Sequence, residues 1–246
     1  YPIETQKAAE WLESSPRQPF YSHIYWRYPH SPYGDFNYEH YPEGFAEGDL
    51  GFEPYCSENR ADTLEMLRSR YDRDIYFTDV QIGRILEALE HEGYLENTIV
   101  IFTADHGEQM GERFGYDGEP YIGHGMFLNE GEMAVPLMVY LPDNRPGRRI
   151  EYPVSLVDIY PTVFSVTGAE IPEQAAGIPI FSEDYALLED DLNERGAVKA
   201  YTVGNGEEED HCLIANYQRE WTYIIDRTTG DQIGRASCRE RVCHRV

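Results

Sequence analysis

Lysine is nearly absent from this chain: only Lys7 and Lys199 occur among 246 residues, and all 20 basic residues together face 45 aspartates and glutamates. The formal net charge is −25, and a surface of that sign does not seek nucleic acid. An excess of carboxylates with scarce lysine suits a protein dissolved in concentrated salt, where screening suppresses self-repulsion. A halophilic source is therefore expected. Cysteine is scarce too. The four thiols, at positions 56, 212, 238 and 243, form no Cys-x-x-Cys pair, so neither a zinc site nor a disulfide framework is indicated. Long apolar runs are missing, since no stretch of about 18 such residues occurs, and with them any membrane span within these residues. Internal repeats are likewise absent. A soluble, cytoplasmic location is expected.

What is present is a globular composition, 41% apolar, sized for one large domain or one and a half. Residues 3–14 read as an amphipathic helix with Ile3, Ala8, Trp11 and Leu12 on one face. Residues 20–26, aromatic and β-prone, read as a strand leading into a loop that carries His30. Residues 34–59 show no period and read as a lid or binding loop with Phe36, Tyr38, Tyr41, Phe45 and Tyr55. The clearest helix spans residues 61–91, with Leu64, Leu67, Tyr71, Ile75, Ile82, Ile85, Leu86 and Leu89 at 3/4 spacing. Gly93 is its stop.

Residues 98–103 form a continuous β-branched apolar run, the pattern of a strand buried on both faces of a parallel sheet. Residues 136–141 read as a further strand. Residues 156–166 read as a helix closed by Gly168. Beyond residue 169, shorter pieces at 197–203, 212–217 and 221–225 suggest a small antiparallel subdomain. From Ile233 the chemistry inverts: four arginines against one glutamate carry +3 in 14 residues and leave −28 for the rest. The string Gly234-Arg235-Ala236-Ser237-Cys238-Arg239-Glu240-Arg241-Val242 resembles the in-frame translation of a sequencing adapter. Residues 233–246 are expected to be foreign to the protein.

Asp105-His106-Gly107 follows the apolar run at once. In open α/β sheets ligands bind beyond the carboxyl ends of strands, and Gly107 permits close backbone approach. One hard oxygen and one imidazole suit Ca2+, Mn2+ or Zn2+ without choosing among them. Two ligands are too few, so the others must come from elsewhere in the fold. His124, between Gly123 and Gly125, and His30, between Pro29 and Pro32, are both left accessible by their neighbours. Three histidines, each in a loop adjoining a strand of one sheet, point to a site. Taken singly, each has a plain alternative as a cap or a solvated side chain. His23, His40, His91 and His211 lack such a context and are assigned structural or surface roles.

Asn97-Thr98-Ile99-Val100-Ile101-Phe102-Thr103-Ala104-Asp105-His106-Gly107-Glu108 resembles the metal-binding strand of sulfatases. Other pieces agree in order. Pro29-His30-Ser31-Pro32-Tyr33 is similar to the family's active-site histidine segment, and residues 71–93, with Asp79 and Ile82-Gly83-Arg84-Ile85, to its long helix. Gly123-His124-Gly125, then Val135-Pro136-Leu137, then Asp158-Ile159-Tyr160-Pro161-Thr162 complete the series. The resemblance implies an alkaline-phosphatase-like α/β sandwich with a mainly parallel central sheet, plus a small C-terminal α+β subdomain with an antiparallel sheet. Residues 1–168 would be the C-terminal part of the catalytic domain and residues 169–232 the subdomain. Asp105 and His106 would be two ligands of a divalent cation, most often Ca2+. His30 would contact a small sulfate-ester substrate or protonate its leaving oxygen.

His124 stands where many members carry a sulfate-binding lysine. A histidine must be protonated to supply that charge, so activity is expected to fall as pH rises through its titration. The family's nucleophile, a cysteine converted to formylglycine in a Cys-x-Pro-x-Arg segment, has no counterpart here, since neither Cys56 nor Cys212 has that context. The chain is expected to be an N-terminally truncated fragment unable to perform the attack unaided. Electrostatics argues for a cation independently, because a surface at −28 repels a sulfate or phosphate ester unless something strongly positive sits locally.

Phosphodiesterases, phosphonate hydrolases and phosphoglycerol transferases of the same superfamily share the Asp-His strand and are rival readings. A non-catalytic, metal-stabilised binding protein or an inactive truncation product is a rival of another class. The halophilic expectation has its own check: the midpoint of thermal unfolding should climb steadily as KCl is raised from dilute buffer to molar concentrations. A midpoint indifferent to KCl would mark an ordinary acidic protein.

Overall fold

A computed structural model describes residues 3–31, 33–34, 60–115, 118–125, 128–143, 146–195, 197–203, 212–218, 221–226 and 232–237. The chain divides into two compact units, one built from residues 1–99 and 110–121 and the other from residues 100–109 and 122–246. The expected loop at 34–59 lies, apart from Gly34, outside the described residues, as do residues 238–246 of the tail.

The first unit rests on two helices, α1 (Ile3–Glu13) and α2 (Arg60–His91). The sequence periodicity places α2 within one residue of its observed bounds. Its stop is the expected one: Gly93 sits at φ +73°, the Gly93 N–H donates to the Glu90 carbonyl at 3.0 Å, and the Tyr94 N–H to the Leu89 carbonyl at 2.8 Å. The buried face of α2 differs from the expected one. Leu67, Phe77, Ile85 and Leu89 are buried, but so are Arg70, Asp74 and Gln81 between them, while Ile75 is 45% exposed.

The polar members of that stripe answer to a loop laid across the helix. Asp74 Oδ2 accepts the Gly34 N–H at 2.9 Å, and Arg70 donates to the Tyr33 carbonyl at 3.4 Å. A loop covering a helix has no ladder to satisfy its backbone, so side chains must do it. Residues 20–26 depart from the expected strand for a related reason: they join no ladder among the described residues. Side-chain packing anchors them instead. Phe20 meets Trp11 and Tyr94 edge-on, with centroids 4.9 and 5.6 Å away, and Trp26 Nε1 donates to Thr5 Oγ1 at 2.9 Å. Strands β2 (Gln109–Phe114) and β3 (Pro120–Gly123) pair as a two-stranded sheet that falls largely in this unit.

In the second unit β1 (Val100–Thr103) pairs with β4 (Leu137–Tyr140), and the direction corrects the expectation of a parallel neighbour. The register is antiparallel, with Thr103 opposite Leu137 and Val100 opposite Tyr140. An apolar run reports burial, not strand direction. The excursion between the two strands begins and ends side by side, as in a very long hairpin, whereas a parallel return would have to travel back the length of β1. All four residues of β1 are half-buried rather than core. Further along come α3 (Glu130–Met133, which precedes β4 in the chain), α4 (Ile159–Val166) behind a 3-10 turn at Leu156–Asp158, and α5 (Glu189–Arg195). The expected antiparallel subdomain is present as a meander of β5 (Ala197–Val203), β6 (Cys212–Gln218), β7 (Trp221–Asp226) and β8 (Gln232–Ser237) in that order. Residues 234–237 of the tail thus pair with β7, and Ile233 falls at a register shift.

One carboxylate organises the segments around α4. Asp158 is completely buried; its Oδ2 accepts the Ser155 N–H at 2.7 Å and Arg195 Nη1–H at 2.5 Å, and its Oδ1 accepts the Ile178 N–H at 3.0 Å. Arg195 also donates to the Pro153 carbonyl. Gly177 passes so near the Val157 backbone that a Cβ would overlap it. Removing the guanidinium in Arg195→Ala leaves a buried charge with only backbone donors. Urea unfolding should show a loss of about 3 kcal/mol, near the lower end for a broken buried pair because two N–H donors remain.

Candidate active site

Asp105 and His106 stand just beyond the carboxyl end of β1, where the backbone leaves the ladder. The turn is pinned at its centre. The Gly107 N–H donates to the Glu132 carbonyl at 2.7 Å, and a Cβ on Gly107 would run into the Gly131 carbonyl oxygen. Asp105 Oδ1 accepts the His106 N–H at 3.0 Å, which fixes the carboxylate beside its neighbour's ring. His106 Nδ1 lies 2.8 Å from the Gly107 carbonyl, which can only accept, so Nδ1 carries the proton and Nε2 keeps a free lone pair.

That Nε2 is 3.7 Å from Asp105 Oδ1. Two donors each about 2.0–2.5 Å from one cation stand about 3–4 Å apart, so this oxygen and nitrogen fit as two neighbouring ligands of a divalent metal. Asp105 is exposed and His106 half-buried, which leaves the pair accessible. Among the described residues no group of three or more His, Cys, Asp or Glu side chains gathers as a metal cage. The donor set therefore amounts to two ligands.

His124 lies directly against this pair, its ring centroid 3.7 Å from that of His106 and the planes inclined by 32°. Its Nδ1 is 3.2 and 3.4 Å from the two oxygens of Glu108, whose side chain is only 7% exposed. A buried carboxylate beside an imidazole fixes which ring nitrogen it holds, here Nδ1. The 123–125 loop is held from the other side, where Glu132 Oε2 accepts the Gly125 N–H at 2.7 Å. Two short loops, one after β1 and one after β3, thus bring a carboxylate, two stacked imidazoles and a buried acid together.

The expectation that each histidine adjoins a strand of one sheet holds for His106, beyond β1, and for His124, in the stretch before β4, since β1 and β4 pair; it fails for His30, because residues 20–26 before it join no ladder among the described residues. The approach of His124 to His106 itself arises from the packing of two loops. His30 belongs to the first unit, where its Nδ1 lies 2.6 Å from the Ser31 carbonyl. Sequence reasoning missed Glu132, Asn129 and Gln109. One signal was available, because Asn129-x-x-Glu132 is a capping pattern, and the Asn129 side chain does accept the Glu132 N–H at 3.3 Å. The same Asn129 oxygen accepts Gln109 Nε2–H at 2.6 Å.

The α/β arrangement with an antiparallel C-terminal sheet belongs to the alkaline-phosphatase-like fold. The sulfatase family model matches residues 4–169, and the chain belongs to the sulfatase family. An arylsulfatase of Clostridium perfringens is 29% identical over 225 residues, covering 81% of this chain and 44% of that protein. The crystal structure of yidJ from Bacteroides fragilis, a protein assigned to the sulfatases, superposes with a TM-score of 0.67 at 25% identity over 94% of this chain and 50% of the other. A phosphonate monoester hydrolase from Silicibacter pomeroyi shares the fold, with a TM-score of 0.61 at 21% identity over 78% of this chain and 38% of the other. The chain spans less than half the length of the curated relatives it matches. Among the described residues no helix is long and apolar enough to cross a membrane.

Gly107 allows a direct test of the loop packing. Gly107→Ala should cost about 1–3 kcal/mol in chemical denaturation through overpacking against Gly131. Gly147→Ala, where a Cβ meets nothing within 4 Å, serves as the neutral control.

Proposed function

We propose that the whole protein is a metal-dependent hydrolase of small sulfate esters, to which this chain contributes part of the catalytic domain. Asp105 and His106 hold one side of a divalent cation, Ca2+ in the first instance, with Mn2+ and Zn2+ as the other candidates. A cation bound there supplies the positive charge that a strongly acidic protein otherwise lacks for an anionic ester. His124 turns its other ring nitrogen to the sulfate oxygens, with Nδ1 held by Glu108. The nucleophile is a formylglycine hydrate in a Cys-x-Pro-x-Arg segment outside these 246 residues. In keeping with this, residues 1–168 are taken as catalytic-domain sequence, residues 169–232 as its subdomain, and residues 233–246 as foreign.

The observation that carries this reading is the compact set formed by Asp105 Oδ1, the free Nε2 of His106 at 3.7 Å, and the His124 ring stacked at 3.7 Å. Family membership over residues 4–169 supports the choice of ester class. The fold alone does not separate sulfate from phosphate or phosphonate esters, because tetrahedral oxyanions ask for the same charge pattern.

The test is to express the gene with its upstream reading frame and assay aryl sulfate, phosphate diester and phosphonate ester hydrolysis with and without chelator. Sulfate ester turnover should be abolished by chelator and restored by added metal. Asp105→Ala should lose bound metal and reduce turnover by about 100-fold or more. Unchanged metal content in Asp105→Ala would remove that residue from the site, and preference for a phosphorus ester would reassign the substrate.

A further inference from the structure

We propose that Glu132 is a positioning residue that holds His124 against His106. The inference rests on reading Asp105, His106 and His124 as one site, and adds the residue that keeps them together.

Glu132 grips both site loops at once. Its main-chain carbonyl accepts the Gly107 N–H at 2.7 Å, next to His106, and its side-chain Oε2 accepts the Gly125 N–H at 2.7 Å, next to His124. The residue is 3% exposed, although it lies in α3, a helix of only four residues. Burying a carboxylate is unfavourable unless donors meet it, so an acid retained at such a position is there for the donor it receives. The 123–125 loop needs an external anchor. Gly123 and Gly125 both flank His124 at positive φ, +128° and +86°, and glycine backbones have little preference of their own. The anchor is itself braced, because Asn129 accepts both the Glu132 N–H at 3.3 Å and Gln109 Nε2–H at 2.6 Å.

Glu108 contacts the His124 ring directly and is the competing explanation for its placement. The two differ in what they fix. Glu108 holds one ring nitrogen, Nδ1, whereas Glu132 sets where the loop backbone lies, and with it the distance between the two imidazoles.

The contact is read by NMR of the full chain labelled at histidine, without metal or substrate. In the wild type, His106 and His124 should show an inter-ring nuclear Overhauser effect and upfield ring-current shifts. Glu132→Ala should lose both. Glu132→Gln should keep both, since the amide oxygen still accepts the Gly125 N–H. Glu132→Asp, one methylene shorter, should weaken the cross-peak and is the deciding variant should the alanine variant fail to fold. A cross-peak undiminished in Glu132→Ala, or in Glu132→Asp where that is the variant that folds, would assign His124 to Glu108 alone and overturn the proposal. So would its loss from Glu132→Gln. A contact retained in Glu132→Ala overturns this proposal and leaves the hydrolytic reading standing, whereas a metal-loaded full-length protein that turns over no ester sinks only the hydrolytic reading.

Discussion

The hydrogen bond from Gly107 N–H to the Glu132 carbonyl, at 2.7 Å, is the constraint on which the arrangement beyond β1 depends. It forces the backbone at 107 so close to residue 131 that no Cβ fits there. Because the turn cannot drift, Asp105 and His106 leave the strand in fixed directions, with the carboxylate on the His106 N–H and the ring Nδ1 on the Gly107 carbonyl. Each first contact is local. The longer-range order, with His124 stacked on His106, is carried by the side chains of Glu108 and Glu132.

The same physical rule governs the rest of the molecule: irregular backbone placed against a packed face must find polar partners there. Asp74 and Arg70 on α2 serve the loop backbone at Tyr33 and Gly34, and Asp158 with Arg195 serves the segments around α4. These residues sit on faces that a simple amphipathic pattern would fill with apolar groups. Their burial is the signature of a fold that uses loops, rather than long ladders, to bring distant parts of the sequence together.

Much of the secondary structure was legible. Leu67, Ile85 and Leu89 declare α2 by spacing, Gly93 declares its end, and the β-branched run before Asp105 declares β1, because such patterns are set by residues a turn or two apart. The segment at 20–26 misled, since aromatic β-formers are equally satisfied by edge-on ring packing when no ladder partner adjoins them. Strand direction misled too, because apolar continuity says how a strand is covered and nothing about which way its neighbour runs.

Of the candidate site, the sequence alone determined that an acid and an imidazole are adjacent at the end of a strand, since chain neighbours in a tight turn after β1 have few other places to be. It also determined the family, through the order of several short motifs. Only the tertiary structure decided that His124 lies on His106, that Glu108 is buried under His124, and that Glu132 joins the two loops. The ring contacts span 16 and 18 residues, and Glu132 unites two separate backbone turns, so no local spacing encodes them: they exist because α3 packs against the turns that follow β1 and β3.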